Sequence, residues 1–181
     1  VPSVDGTPSS IFVNAMATNP LSVEPSLVIE ECAAEFSLGM GVLNKLGVPV
    51  YVCQSDAAKL PDVDGANVKT ATFSGKHPAG LSSTHVHYID PVFGLKVDWT
   101  IGYQDVIAIG HLFTSGSVSG QRYVALGGPL VNSPRVFKTQ AGANVGELGE
   151  GRLAEGAKRV ISGSVLDGLV AEESRDDLGR C

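Results

Sequence analysis

Lysine and arginine form no cluster anywhere in this 181-residue chain, and 13 basic residues against 19 acidic ones leave a formal net charge of −6. Nucleic acid is thereby excluded as a natural partner, because phosphate contacts need a basic face. No apolar run approaches the ~20 residues that span a bilayer, and no basic amphipathic stretch would hold the chain on anionic lipid. There is thus no direct membrane span to expect, and membrane association has to come through protein partners. The three cysteines, Cys32, Cys53 and Cys181, are odd in number, widely spaced and without a CxxC pair, which fits a reducing compartment. Cys32 falls among the apolar positions of an expected helix and Cys53 ends an expected strand, so both read as small core residues. No GxSxG elbow supports a hydrolase, and no N-terminal stretch has the form of a signal peptide.

What is present is enough apolar material, 43% of residues, for one generous domain or two small ones. Ser10 to Ala15 is a short apolar run ending near Asn19-Pro20, which predicts a buried strand. Ile29, Cys32, Ala33, Phe36, Met40, Leu43 and Leu46 recur at three- and four-residue spacings. Pro25 suits a first turn and Gly47 a stop, so the pattern predicts one helix. Val48 to Cys53 follows as a second strand, and strand–helix–strand is the βαβ unit of a parallel sheet. Val68 to Phe73 and Val97 to Ile101 read as further strands, and Tyr103 onward as a helix closing near Gly116. The expected fold is α/β, a Rossmann-like parallel-sheet domain over residues 1–118.

After the Gly/Ser-rich turn at Ser115 to Gly120 the character changes. Tyr123 to Leu126, Arg135 to Thr139 and Arg159 to Ser162 read as short strands between Gly, Pro and Asn turns, with a short helix around Val145 to Leu148. Residues 119–181 are therefore expected to form a small mixed module.

Two absences bear on the Rossmann-like half. No GxGxxG turn follows the first strand and no P-loop occurs elsewhere, so the bare backbone that approaches a pyrophosphate is missing. Neither NAD nor flavin is expected on this chain. The segment GKHPAGLSSTHVHYIDP, Gly75 to Pro91, instead gathers three of the four histidines with two prolines and two glycines in seventeen residues. That mixture reads as a ligand-facing or interface loop. If extended, it would place His85 and His87 on one face with His77 and Asp90 near. On a helix residues two apart diverge by about 200°, and no zinc spacing is present, so no metal is expected. Ser82 and Thr84 read as turn hydroxyls beside His77-Pro78, and Asp105 as a charge favourable to a helix start.

The histidine segment and WTIGYQDVIAIGHLF, Trp99 to Phe113, resemble the GxHPAGLxGTHxHF and INYQDVIAIGKLF segments of the NqrA family of Na⁺-translocating NADH:quinone oxidoreductases. Ser83, Tyr88, Gly102 and His111 replace the usual Gly, Phe, Asn and Lys. IFVNAMATNPL (Ile11–Leu21), ALGGPLVNSPRVFKT (Ala125–Thr139) and RVISGSVLDG (Arg159–Gly168) resemble family segments in the same order. The resemblance implies a peripheral subunit on the cytoplasmic face of a bacterial inner membrane. Its partners would be the other subunits of a complex that passes electrons from NADH to ubiquinone and exports Na⁺, with NADH and FAD chemistry on a different polypeptide. It also implies that the second module is a β-grasp-like (SLBB-type) α+β unit. Because the chain lacks an initial Met and ends at Cys181, where the family continues with Tyr, it reads as an excised piece with that module truncated.

NqrA is the component linked with ubiquinone, so the resemblance asks which side chains suit a quinone. A quinone head needs hydrogen-bond donors at two carbonyls and an apolar wall. His77, His85, His87, Tyr103 and Gln104 are the candidate donors at a quinone or an interface, and Phe12, Tyr88, Trp99 and Phe113 are candidate walls. No catalytic residue and no redox centre is expected here. A pure scaffold without small-molecule ligand stays open, as does an electron-transport protein of the RnfC type, although the cysteine clusters and flavin-binding glycines of that type are missing. A stand-alone metal-dependent enzyme is the weakest alternative.

Overall fold

A computed structural model describes residues 2–63, 65–156, 159–171 and 178; Cys181 lies outside them. The chain divides into two units, one of residues up to Thr18 together with Glu24–Ser119, the other of Asn19–Val23 together with residues from Gly120 onward.

The first unit is α/β. Strands β1 (Ile11–Ala15), β2 (Val50–Ser55), β3 (Val68–Phe73) and β4 (Trp99–Gly102) form one sheet in the order β3-β2-β1-β4. All its pairings are parallel. Helices α1 (Pro25–Glu31), α2 (Ala33–Asn44), α3 (Ser82–Ile89) and α4 (Tyr103–Ser115) connect and follow the strands. Parallel strands are joined by right-handed crossovers. The steps β1 to β2 to β3 run one way across the sheet, and the step from β3 past β1 to β4 runs the other way, so its crossover, which contains α3, belongs on the opposite face.

The side chains follow this geometry. Ile11, Val13, Ala15, Val50 and Val52 point to one face and make the core with Ile29, Phe36, Met40, Leu43 and Val106 of α1, α2 and α4. The alternate residues point the other way. There Phe12, fully buried, stacks on Tyr51 with ring centroids 5.1 Å apart, and His85 of α3 lies on Phe73 at 4.3 Å. Helices α2 and α4 cross at two glycines. A Cβ at Gly39 would fall on the carbonyl oxygen of Val106, and one at Gly110 on that of Glu35, each deep inside van der Waals contact.

Three local expectations need correction. The single helix expected from Ile29 to Leu46 is two helices broken at Cys32, whose φ of −113° and ψ of 36° leave the helical region. The i, i+3/i+4 apolar spacing runs unbroken across the interruption and so hides it. The histidine segment is a loop only as far as Leu81, since SSTHVHYI is helical. The strand expected from Val97 begins at Trp99, because the chain before it is drawn into an ion-paired loop. Gly116, with φ of 73°, takes the left-handed conformation that ends α4.

The second unit is a small antiparallel module. Strands β5 (Gln121–Leu126) and β6 (Arg135–Gln140) form a hairpin, followed by the short α5 (Val145–Gly149), whose cap Asn144 accepts the Glu147 N–H at 3.2 Å. β7 (Ile161–Ser162) pairs with β8 (Leu169–Val170), a strand too short to carry a periodic signal. The strand expected from Arg159 starts only at Ile161. The Leu178 N–H and C=O bond Ala143 O and Gly142 N at 2.9 and 3.0 Å.

Candidate functional site

In an open parallel sheet the ligand crevice lies beyond the carboxyl ends of the strands where the strand order reverses. Here that point is the pair β1/β4, which places Asn14 beside Gly102. Tyr103 and Gln104 start α4 at the end of β4, so the strand–helix junction sets them at this edge. Tyr103 is half-buried, and Gln104 Nε2 donates to its hydroxyl at 3.2 Å. Burial first, then the charge of Glu24, raises the phenol's pKa against the opposing Gln104 bond, so Tyr103 stays a protonated hydrogen-bond donor at neutral pH.

The loop from β3 to α3 reaches the same edge on the other side of β1. Asn14 Nδ2 donates to Gly80 O at 2.9 Å and to Ser82 Oγ at 3.2 Å, while Asn14 Oδ1 accepts the Met16 N–H at 3.1 Å. Thr18 Oγ1 accepts the Gly80 N–H at 3.0 Å and lies 3.3 Å from His77 Nδ1. Thr18 thus engages His77 through Nδ1 and leaves Nε2 outside the pair. Gly80 must be glycine, since a Cβ there would lie 2.9 Å from the Thr18 nitrogen. Thr84 Oγ1 bonds Pro78 O at 3.0 Å and closes the loop from behind. The carboxyl end of β1 is thus bridged by the chain's own loop.

The histidines part company. His77 is half-buried at this edge. His85 is fully buried, donating Nε2–H to Ala79 O at 2.8 Å while its Nδ1 is buried without a partner. Burial lowers its pKa against the opposing Ala79 bond, so it is a neutral imidazole that fixes the loop from within. His87, two residues on along α3, is exposed and touches Tyr88 edge-on at 5.2 Å. His77, Tyr103 and Gln104 therefore belong to one edge of the sheet, His85 to the interior and His87 to the outer surface. Among the candidate walls, Phe12 is core, Trp99 starts β4 at the opposite edge, and Tyr88 and Phe113 are exposed.

Asn14, Thr18 and Gly80 escape a reading based on chemically reactive residue types. The available signal is an asparagine inside the apolar strand IFVNA, a polar side chain that burial obliges to find partners. The first helix start is also informative: Glu24 caps α1 without a side-chain hydrogen bond and Pro25 supplies no N–H. A phosphate there would meet a carboxylate and an absent donor, the reverse of an anion cradle. Among the described residues no group of three or more His, Cys, Asp or Glu is arranged to hold a metal ion, and no helix is long and apolar enough to cross a membrane.

Fold and edge together define a parallel α/β domain with doubly wound strand order whose switch-point edge is bridged by its own loop, joined in sequence to a small antiparallel module. The profile of the NqrA second alpha/beta domain matches residues 1–118 and that of the NqrA C-terminal domain matches residues 123–173. The chain belongs to the NqrA family. It is 50% identical over 181 residues to a Neisseria gonorrhoeae protein and 51% identical to one from Saccharophagus degradans, covering 99% of this chain and 40% of each relative. A Haemophilus influenzae relative is 47% identical over 182 residues, with 99% and 41% covered. All three are named as the A subunit of Na(+)-translocating NADH-quinone reductase. The chain thus spans about 40% of the length of these curated relatives.

Proposed function

We propose that this chain supplies the second α/β domain and the following SLBB-type module of the NqrA component of a sodium-translocating NADH:ubiquinone oxidoreductase. It acts as a peripheral part of that complex on the cytoplasmic face of the inner membrane, bound through the other subunits, and holds no redox centre of its own. The observation that carries this reading is the succession of two family matches, residues 1–118 and 123–173, along nearly the whole chain.

Within that role, the carboxyl edge bearing His77, Tyr103 and Gln104 contributes hydrogen-bond donors toward a ubiquinone head group. Tyr103 offers a phenol held protonated, Gln104 an amide, and His77 the ring nitrogen that Thr18 leaves unused. The test is photolabelling of the assembled complex with an azido-ubiquinone analogue, followed by peptide mapping, for the wild type and for His77→Ala and Tyr103→Phe/Gln104→Leu variants. Labelling in peptides around residues 77 and 103 that the variants lose supports the site. Labelling confined to other peptides, with turnover unchanged in both variants, removes it and leaves the domain as scaffold. The scaffold reading draws on the buried His85 and the stitched loop, which are framework features.

A further inference from the structure

The loop between α3 and β4, Pro91 to Asp98, is built inside out. Its one cation, Lys96, turns inward. The ammonium pairs with Asp90 Oδ1, donates to Asp90 O at 2.9 Å, and sits 3.3 Å from Asp98 Oδ2, close enough for an ion pair though off the line of a hydrogen bond. Asp98 is in turn fixed by Ser10 Oγ at 3.0 Å, and the Ser9 N–H bonds Val97 O at 2.8 Å. At the tip the Lys96 N–H closes a turn onto Phe93 O at 3.2 Å, with Gly94 at φ 60°. The apolar side chains are what the loop shows to its surroundings. Phe93 is 76% and Leu95 99% exposed, with Val92 and Val97 of the same loop also exposed. A solvated loop gains nothing from that arrangement, and a loop anchored by these polar contacts is preformed to present it.

We infer that the knuckle Phe93-Gly94-Leu95 is an interdomain anchor, seated in an apolar socket on the domain that precedes this one in the same polypeptide. Three observations choose this occupant. The relatives are much longer than this chain, which covers 40% of them, and the family counts residues 1–118 as a second α/β domain. The knuckle offers roughly a few hundred Å², short of the ~800 Å² per partner that a free-standing complex buries, yet enough for a domain held nearby by its own chain. The one cation is neutralised internally beside two carboxylates, so nothing in the knuckle draws it to anionic lipid. It also stands at the amino edge of the sheet, before β4, so docking there leaves the carboxyl edge open. The inference rests on the family assignment and not on the quinone site.

The test places a benzophenone amino acid at position 93 of the full-length polypeptide in its assembled complex and maps the photoproducts. The expected product is an internal cross-link to the preceding domain. Leu95→Asp should cut its yield roughly tenfold, the factor one lost Leu burial carries. The same substitution in the 181-residue chain alone should leave its melting temperature unchanged, because Leu95 is 99% exposed there. Cross-links to a second copy, to another subunit or to lipid overturn the assignment, as does the absence of product or a yield indifferent to Leu95→Asp.

Discussion

Two glycines in one helix, Gly39 and Gly41, should respond to alanine with opposite signs. Both lie inside α2, where alanine is favoured over glycine by ~0.8–1 kcal/mol in helix propensity. At Gly41 a Cβ meets nothing within 4 Å, so the propensity gain is realised and Gly41→Ala should stabilise by ~0.4–1 kcal/mol. At Gly39 the added methyl lands on the backbone carbonyl of Val106 in α4. A flexible side chain could swing aside, but a carbonyl inside a helix cannot, so relief requires α2 and α4 to separate. The separation would be felt by Phe36, Met40 and Val106, all fully buried, and would loosen the packing that closes this face of the sheet. Overpacking of a well-filled core costs ~1–3 kcal/mol, with backbone clashes at the upper end. The net for Gly39→Ala is therefore a loss of about 2 kcal/mol or more. Gly110→Ala, which meets the Glu35 carbonyl from the other helix, should behave like Gly39→Ala.

Urea denaturation of the two single variants and the wild type, followed by circular dichroism, reads the difference as a shift in midpoint at constant slope. The gap between Gly39→Ala and Gly41→Ala should be ~3 kcal/mol, far beyond the error of the method. A Gly39→Ala protein as stable as Gly41→Ala would show that the helices do not meet at this crossing, and the account of the α2–α4 interface would fall with it.

His85 should make stability depend on pH. Its folded pKa is lowered, so between that value and the unfolded value of ~6.5 the unfolded chain holds more protons. Stability then drops as pH falls below about 6.5, by up to ~1.4 kcal/mol per unit, and His85→Gln should flatten that part of the curve; an unchanged slope in the variant refutes the assignment. Cys53, fully buried with its thiol pushed up to about 12 by desolvation, should resist iodoacetamide at pH ~8 in the native state and react only with unfolding; peptide mass mapping checks this. Asn14→Asp keeps the shape but removes the donor that holds Gly80 O and Ser82 Oγ. It should cost ~1–3 kcal/mol and speed amide exchange at residues 77–81, and protection there equal to the wild type would count against the stitched-loop description.

Much of the α/β unit is legible in the sequence because its elements are strongly patterned. IFVNA and VYVCQS are short apolar runs between turn signals, and the residues from Tyr103 to Gly116 carry both a broad apolar face and a glycine stop. What escaped was decided by tertiary geometry. The break at Cys32 leaves the apolar spacing intact, so no periodicity argument can see it. The helix Ser82–Ile89 hid behind the Gly-Pro-rich residues before it, and only its packing on Phe73 decides that His85 turns inward while His87 turns out.

The same distinction governs the candidate site. Residue chemistry singled out five side chains, but reactivity in a list of types says nothing of direction, and the sheet divides them among an edge, a core and an outer surface. The edge is organised by Asn14, Thr18 and Gly80, whose amide, hydroxyl and missing side chain are ordinary in isolation. They become informative once the strand order 3-2-1-4 puts the end of β1 between two incoming loops. In a doubly wound sheet that position would ordinarily admit a pyrophosphate. Here a carboxylate at Glu24 and the donorless nitrogen of Pro25 stand at the first helix, and the His-Pro loop is tied across the strand. What this edge presents instead is a protonated phenol, an amide and an imidazole.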